Sequence, residues 1–258
     1  MLLMTPSTPV LYSAALGVAH IELNRPEAFN ALTIPLAEAL AEASARAEAD
    51  HEVKVVLISG RGRAFCAGGD VKMMAGADDS SAAVHQLATA AHQAVLVLAR
   101  LEKPVIAVVH GSVAGGGLGL SCVADLLLAA QSTTFVAAYA GIAVTPDCSL
   151  SWSLPRIVGE RRALEMLLLN KPFSAAKAES WGLVTSVHPD EEVLAEGLDL
   201  ARRVAGAPSA SALGRTRRLL RDSAARTLAA HLEVEAASIA EHVGHPEAQA
   251  LIAAFAGR

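Results

Sequence analysis

A run of glycines directly after an apolar stretch is the sequence feature that most constrains the fold. The segment GSVAGGGLGLS, Gly111–Ser121, follows the apolar run Val105–Val109. Each glycine lowers the preference for a helix by roughly 1 kcal/mol relative to alanine, and glycine also weakens a strand interior. Three in succession therefore predict a junction at which the backbone packs closely or binds a ligand.

Apolar runs and helical patterns alternate over most of the chain. Helical, alanine-rich patterns occur at Ala31–Ala49 and Ala82–Arg100. Five apolar runs are typical of buried strands: Gly17–Leu23, Val53–Ser59, Val105–Val109, Asp125–Ala130 and Thr134–Ala138. This order predicts a layered α/β core over residues 1–189.

Beyond a boundary near Val187–Asp190 the sequence predicts helices alone. The four segments are Glu191–Ala205, Ser209–Arg221, Ala224–His242 and Pro246–Phe255. We expect residues 190–258 to form a packing or oligomerisation region.

Composition and charge favour a globular protein that binds a small molecule. The 258 residues are 53% hydrophobic with a formal net charge of -5, and they contain no dense basic block. Neither nucleic acid nor a membrane is therefore an expected partner. The first basic residue is Arg25, so we expect no targeting segment and a cytoplasmic location. The three cysteines are too scattered for a CxxC site, and no metal is expected.

Three kinds of site could use glycines at such a junction. A dinucleotide fold requires GxGxxG, but Leu120 stands where the third glycine belongs, and no segment matches the phosphate loop GxxxxGK[ST]. The remaining use is a backbone N–H directed at a developing oxyanion. A second candidate turn of this kind is RAFCAGGDVKMM, Arg63–Met74, which follows another apolar run.

These two segments together resemble the crotonase, or enoyl-CoA hydratase/isomerase, family of acyl-CoA enzymes. LNRPEAFNAL, Leu23–Leu32, is similar to the family segment that handles the acyl-CoA, and ESWGLVTSV near Trp181 matches a further family stretch. The resemblance covers nearly the whole chain. It implies an α/β spiral of ββα units, a C-terminal helical trimerisation region, and a homotrimer or a dimer of trimers.

The resemblance also implies the site. In the family, two backbone N–H groups hold the thioester oxygen of a coenzyme A ester, and these fall on Gly69 and Gly116. Coenzyme A is part of the substrate, so no further cofactor is implied. Phe255 is implied to lie near a neighbouring subunit's coenzyme A site. The other residues implied to contact coenzyme A or the acyl group are Ala28, Ala67, Asp70, Val71, Lys72 and Gly115.

The chain departs from the family's hydratases at the two positions that carry their catalytic glutamates. Here those positions are Gly119 and Tyr139, and neither is a carboxylate base. A carboxylate does occur at Asp147, which matches the single acid/base of some family isomerases, particularly 1,2-epoxyphenylacetyl-CoA isomerases. One carboxylate suffices to move a double bond, because it can remove a proton and return it elsewhere on the acyl chain. The alternative is that Asp147 caps a turn after Pro146.

Three other functions stay open. The same region resembles 4-chlorobenzoyl-CoA dehalogenases, in which the matching aspartate is a nucleophile and a histidine matching His92 activates water. However, their aromatic pocket is represented here by Gly69, Ala91 and Tyr139, of which only Tyr139 is aromatic. An enoyl-CoA hydratase and a non-catalytic acyl-CoA binder are the remaining alternatives, and the acyl group itself is not identified.

Lesser candidates have simpler interpretations. Cys66 has no basic neighbour in the sequence to lower its pKa, and Ser149 and Ser151 lie outside any GxSxG motif. His242 and His245 are expected to be solvated at a helix end, and Asp125 to hold backbone at a strand start. The Gly76–Val84 segment is predicted to be a mobile loop.

Overall fold

The computed structural model describes residues 8–257 as nine strands, eleven α-helices and two 3-10 helices. The strands are β1 (Val10–Ala15), β2 (Val18–Leu23), β3 (Val55–Gly60), β4 (Val105–Val109), β5 (Ser112–Ala114), β6 (Leu126–Ala130), β7 (Thr134–Val136), β8 (Phe173–Ser174) and β9 (Ser186–His188). The α-helices are α1 (Ile34–Ala49), α2 (Val71–Gly76), α3 (Ser80–Arg100), α4 (Gly116–Ser121), α5 (Leu150–Val158), α6 (Glu160–Leu169), α7 (Ala175–Ser180), α8 (Val193–Ala205), α9 (Ala210–Ser223), α10 (Leu228–Val243) and α11 (Pro246–Ala256). The 3-10 helices are Pro26–Ala28 and Tyr139–Ile142.

The main sheet has six strands in the order β1-β2-β3-β4-β6-β9. Only the β1-β2 pair is antiparallel, and the remaining pairs are parallel. Every residue of β3 and β4 is buried. Helices cover both faces of a parallel sheet, which explains why these strands are continuous apolar runs rather than alternating ones.

A second sheet of three short strands, β5-β7-β8, packs beside the first. The consecutive strands β4 and β5 lie in different sheets, as do β6 and β7, so the chain turns a corner between them and then enters a helix. An isolated bridge between Cys66 and Val113 extends this second layer toward β3. Repetition of two strands and a helix produces the predicted spiral of ββα units.

Two apolar clusters hold the sheet between helices. The larger one contains Leu36 and Leu40 of α1 and Leu87 and Leu98 of α3. The smaller one lies on the opposite face, where Val193 and Ala201 of α8 pack on β3 and β4. Helix α8 begins after residue 189, so the first element of the predicted C-terminal region is part of the core packing. The division of the chain into regions 1–189 and 190–258 stays a prediction.

Helix α3 is long and apolar enough to cross a membrane by length and composition alone. In this structure it packs against α1 and contributes a buried face to the core.

All five predicted strands and all six predicted helices are present, with ends shifted by a few residues. The predicted mobile loop Gly76–Val84 is wrong in most of its length, because α2 ends at Gly76 and α3 already begins at Ser80. The Asp79 side chain accepts a hydrogen bond from the N–H of Ala82 and so caps α3 earlier than the alanine pattern suggested. No strand occurs between residues 190 and 257.

Asp125 connects the C-terminal helices to the core. Its carboxylate accepts hydrogen bonds from the N–H of Val105 at 2.7 Å and from the guanidinium of Arg217 at 2.6 Å. The guanidinium of Arg221 donates to the same carboxylate at 2.8 Å. The expectation that Asp125 holds backbone is confirmed, and the same carboxylate also anchors α9.

Candidate active site

The first glycine turn, residues 67–69, is held against the segment before α1. The N–H of Ala67 donates to the carbonyl of Phe29 at 3.0 Å, and the N–H of Leu32 donates to the carbonyl of Gly68 at 2.7 Å. Buried Asn30 fixes this segment, since its amide donates to the carbonyls of Arg61 and Ala64. The turn is therefore rigid on both sides.

The second glycine turn joins β5 to α4. Gly115 has a φ of +50°, which L side chains rarely adopt, and its N–H donates to the carbonyl of Val136. Gly116 follows as the first residue of α4. The two turns are neighbours, because a Cβ on Gly115 would lie 3.6 Å from the Cα of Gly68. The glycine run therefore allows the two backbone turns to pack closely around a shared space.

The N–H groups of Gly69 and Gly116 are available to a ligand. Neither donates a hydrogen bond to any residue within 8–257. The first N–H of a helix has no partner in its own helix, and the parallel bridge at Gly69 uses the neighbouring groups Gly68 C=O and Asp70 N–H. Both glycines line one cavity. Two free donors on one cavity can stabilise a single developing oxyanion.

This cavity has a volume of about 560 Å³ and a mainly aliphatic wall. Helices α2 and α3 supply one side and the segment 138–148 supplies the other. Ile142 and Val144 line it, whereas Leu150 is buried in the core and does not. The apolar wall residues from α2 and α3 are Val71, Met74, Val84, Leu87, Ala88 and Ala91.

Asp147 is the one carboxylate among the residues that line this cavity. Its Oδ1 accepts a hydrogen bond from the hydroxyl of Tyr139 at 2.5 Å, and a methyl group on Gly116 would lie 3.8 Å from the same oxygen. Burial, followed by the negative charge of Asp147, raises the pKa of Tyr139, which therefore donates the proton. The hydroxyl of Tyr139 bonds this carboxylate and no backbone N–H within residues 8–257 does, so Asp147 does not cap the turn after Pro146.

His92 lies behind Asp147 rather than on the cavity wall. Its Nε2 accepts a hydrogen bond from the backbone N–H of Cys148 at 3.2 Å. Ligand atoms of His92, Asp147 and Cys148 lie within 4.8 Å of one another, and in residues 8–257 they form the one such group of potential metal ligands. Two of these ligand atoms already accept hydrogen bonds within the protein. Nε2 of His92 accepts the N–H of Cys148, and Oδ1 of Asp147 accepts the hydroxyl of Tyr139.

Position 119 has no space for a side chain. A Cβ on Gly119 would lie 2.4 Å from the carbonyl oxygen of Cys148 and 2.8 Å from its Cβ. Real Cβ atoms essentially never approach backbone this closely. Tyr139 occupies the other position at which the family's hydratases carry a glutamate.

The residues implied to contact coenzyme A divide into two groups. Ala67, Val71 and Gly115 line the cavity, whereas Ala28, Asp70 and Lys72 do not. Asp70 caps α2 through the N–H of Met73 and pairs with Arg25 at 3.3 Å, so its carboxylate is occupied. Lys72 is exposed on α2.

The lesser candidates have structural surroundings. Burial raises the pKa of Cys66 to about 12, which disfavours a thiolate nucleophile. The hydroxyl of Ser149 bonds that of Ser153, and Ser151 is exposed. His242 bonds the carbonyl of Ser238, and His245 is exposed beyond the end of α10.

The sequence interpretation missed the α2 and α3 wall of the cavity. The signal was present, because Val84, Leu87, Ala88 and Ala91 recur at the spacing of one helix face, as do Val71 and Met74. The occlusion of position 119 left no sequence signal.

The chain is similar to known proteins over nearly its whole length. A family model described as Enoyl-CoA hydratase/isomerase matches residues 13–258. The chain is 34% identical over 241 residues to 4-chlorobenzoyl coenzyme A dehalogenase-2 from Arthrobacter sp, covering 93% of this chain and 87% of the relative. It is 35% identical over 224 residues to 1,2-epoxyphenylacetyl-CoA isomerase from Escherichia coli (strain K12), covering 85% and 84%. A crystal structure described as an enoyl-CoA hydratase/isomerase from Mycobacterium abscessus superimposes with a TM-score of 0.90 at 34% identity, covering 96% of each chain.

Proposed function

The chain belongs to the enoyl-CoA hydratase/isomerase, or crotonase, family, as its motifs predicted, and from this we propose that it moves the double bond of an enoyl-CoA ester. Asp147 would be the acid/base, and the N–H groups of Gly69 and Gly116 would form the oxyanion hole. The single observation that carries this proposal is that Asp147 is the one carboxylate on the cavity that both free donors line.

The chemistry follows from these three groups. The two N–H groups donate hydrogen bonds to the thioester carbonyl oxygen, and the carboxylate of Asp147 removes a proton from the carbon next to the thioester. The resulting dienolate is stabilised at its oxygen by the two donors, an effect worth about 2.7–4 kcal/mol for each donor in comparable sites. Asp147 then returns the proton to the far end of the conjugated system. Substrate and product are isomers, so no cofactor beyond the substrate's own coenzyme A is required.

A hydratase is a weaker candidate. Addition of water by the family's two-glutamate route needs carboxylates at positions 119 and 139. Gly119 has no room for any side chain, and the hydroxyl of Tyr139 is bonded to Asp147. Water addition to crotonyl-CoA at a rate comparable to isomerisation would overturn the preference for an isomerase over a hydratase.

Hydrolytic dehalogenation or thioester hydrolysis is the alternative that a specific observation favours, because His92 lies close to Asp147. Two contacts argue against it. The Nε2 atom of His92 accepts the N–H of Cys148 and so has no lone pair free for water, and the bond from Tyr139 lowers the nucleophilicity of Asp147. This alternative predicts an acyl-aspartate, detectable as a mass shift on the peptide that contains Asp147.

The test is a proton-exchange assay. Wild-type protein, Asp147→Asn and the control Asp199→Asn, whose carboxylate is exposed on α8, are each incubated with 3-enoyl- and 2-enoyl-CoA esters in deuterated water. We expect deuterium uptake and double-bond migration in the wild type and the control. Loss of the acid/base should lower both by about 10²–10⁴-fold while acyl-CoA binding is kept.

Two other outcomes would contradict the proposal. Binding of acyl-CoA without exchange in the wild type would indicate a non-catalytic binder. Exchange that persists in Asp147→Asn would show that another group moves the proton.

We also propose that the protein is a homotrimer or a dimer of trimers, with coenzyme A passing Ala28, Ala67, Asp70, Val71, Lys72 and Gly115. The exposed apolar side chains of α10 and α11 support self-association, among them Leu228, Ile239, Ile252 and Phe255, the last with 80% of its surface exposed. Light scattering on the purified protein tests the assembly, and a mass of one chain would contradict it.

A further inference from the structure

Tyr139 and Asp147 form one hydrogen-bonded pair at the cavity wall. The hydroxyl of Tyr139 donates to Oδ1 of Asp147 at 2.5 Å, and both residues line the cavity and are half-buried. Because burial and the charge of Asp147 raise the pKa of Tyr139, the phenol stays protonated across the range in which carboxylates titrate.

Unusual backbone conformations flank both members of the pair. Ala138, before Tyr139, has a φ of 68°, and Cys148 and Ser149, after Asp147, have φ values of 48° and 64°. Non-glycine residues in this left-handed region carry strain, which persists only where the surrounding structure holds it and which concentrates at functional sites. Here three strained positions lie within two residues of the hydrogen-bonded pair.

The bond leaves the two oxygens of Asp147 in different situations. Oδ1 accepts the hydroxyl of Tyr139, a strong donor, whereas the thiol of Cys148, a further side-chain partner of this carboxylate, is a weak donor. The carboxylate is thus oriented by one strong hydrogen bond to Oδ1, which leaves Oδ2 to take the substrate proton.

We propose that Tyr139 is the positioning residue for the proton transfer at Asp147, an inference that rests on the proposed function. In the transfer, the C–H bond next to the thioester breaks and an Oδ2–H bond forms, with the electron pair moving into the dienolate. The Oδ2–H bond then breaks as the new C–H bond forms at the far carbon. The proton of Tyr139 stays on its own oxygen throughout.

The test compares Tyr139→Phe with Tyr12→Phe. These are the two tyrosines of the chain, and the hydroxyl of Tyr12 is buried without a hydrogen-bond partner in the described residues, so its loss is a matched control. Isomerisation is measured as kcat, KM and the pH profile of kcat/KM. The Asp147 carboxyl is titrated directly by ¹³C NMR of protein labelled at the aspartate carboxyl carbon, with Asp147→Asn for assignment.

We expect Tyr139→Phe to lower kcat about 10-fold or more with KM within about 2-fold, because orientation is lost while binding is kept. Because the carboxylate loses its donor, the ¹³C signal of the Asp147 carboxyl should move away from its wild-type position. Tyr12→Phe should change none of these.

A second variant tests the same bond without removing it. Incorporation of 3-fluorotyrosine into the Tyr12→Phe protein places the label at position 139 alone. The more acidic phenol strengthens the bond, so the ¹³C signal of the Asp147 carboxyl should move in the direction opposite to that in Tyr139→Phe.

Wild-type kcat in Tyr139→Phe together with an unmoved ¹³C signal of Asp147 would overturn the inference. A rise in KM with kcat unchanged would also overturn it, since that result indicates a packing role. If the wild-type protein isomerises no enoyl ester, the proposed function fails, and the NMR comparison still decides whether Tyr139 is bonded to Asp147.

Discussion

The carbonyl oxygen of Cys148 occupies the space that a side chain on Gly119 would need. A Cβ at position 119 would lie 2.4 Å from this oxygen. Because Cys148 directly follows Asp147, the close packing of α4 against this turn sets where the carboxylate stands. Position 119 therefore has to be glycine for the turn that carries Asp147 to pack as it does.

Gly119→Ala should destabilise the protein, with Gly76→Ala as the control. The new methyl group at position 119 must displace backbone, which costs about 1–3 kcal/mol or more for overpacking. At Gly76, on the exposed end of α2, nothing lies within 4 Å of an added Cβ, so alanine there should be neutral or stabilising by up to about 1 kcal/mol. Urea unfolding of both variants measures the difference. Equal stabilities would show that the turn at Asp147 moves freely.

Arg217→Ala should release α9 from the core. The guanidinium of Arg217 is almost completely buried, pairs with Asp125 at 2.6 Å and donates to the carbonyl of Leu98 at 2.8 Å. Removal of the guanidinium leaves the buried carbonyl of Leu98 without this donor and leaves Arg221 as the remaining ion-pair partner of Asp125, which costs about 1–3 kcal/mol. The neighbouring Arg218 pairs with Asp222 near the surface, so Arg218→Ala should cost at most about 1 kcal/mol. A chemical denaturation series that ranks the two variants equally would refute this account.

His20 should make the protein less stable in mild acid. Burial lowers the pKa of its imidazole from the ordinary 6.5, and its Nε2 lies 2.8 Å from the hydroxyl of buried Ser59. The unfolded chain then binds more protons than the folded one, so stability falls as the pH drops below about 6.5 and His20 adds no slope above it. His20→Gln should flatten this part of the curve of unfolding free energy against pH. His51→Gln, at an exposed position, should leave the slope as it is.

The cysteines should be inert in the native protein. Burial raises the pKa of Cys66 and of Cys122 to about 12, and burial followed by the charge of Asp147 raises that of Cys148. A thiol-specific disulfide reagent at pH 8 should therefore label none of the three until denaturant is added, because the thiolate is the reactive form. Rapid labelling of the native protein at Cys66 would revive the nucleophile hypothesis.

The sequence by itself determined the architecture and most of the parts of the site. Periodicity within short segments was enough for the α/β order, because buried parallel strands and amphipathic helices carry their own local patterns. The two glycine turns that line the cavity also followed from local reasoning, since glycine runs next to apolar strands have few uses. Asp147 as a candidate followed from the family resemblance, because it matches the position of the single acid/base in some family isomerases.

Only the tertiary structure decided how these parts act together. The bond from Tyr139 to Asp147, the packing of Cys148 on Gly119 and the contact of Arg217 with Asp125, 92 residues apart in the chain, depend on distances of a few ångströms between separate elements. Strong sequence signals reflect local propensity, whereas these contacts result from close packing of the whole core. The α2 and α3 wall of the cavity illustrates this difference. The sequence shows the apolar face of these helices, but only the structure shows that this face lines the cavity.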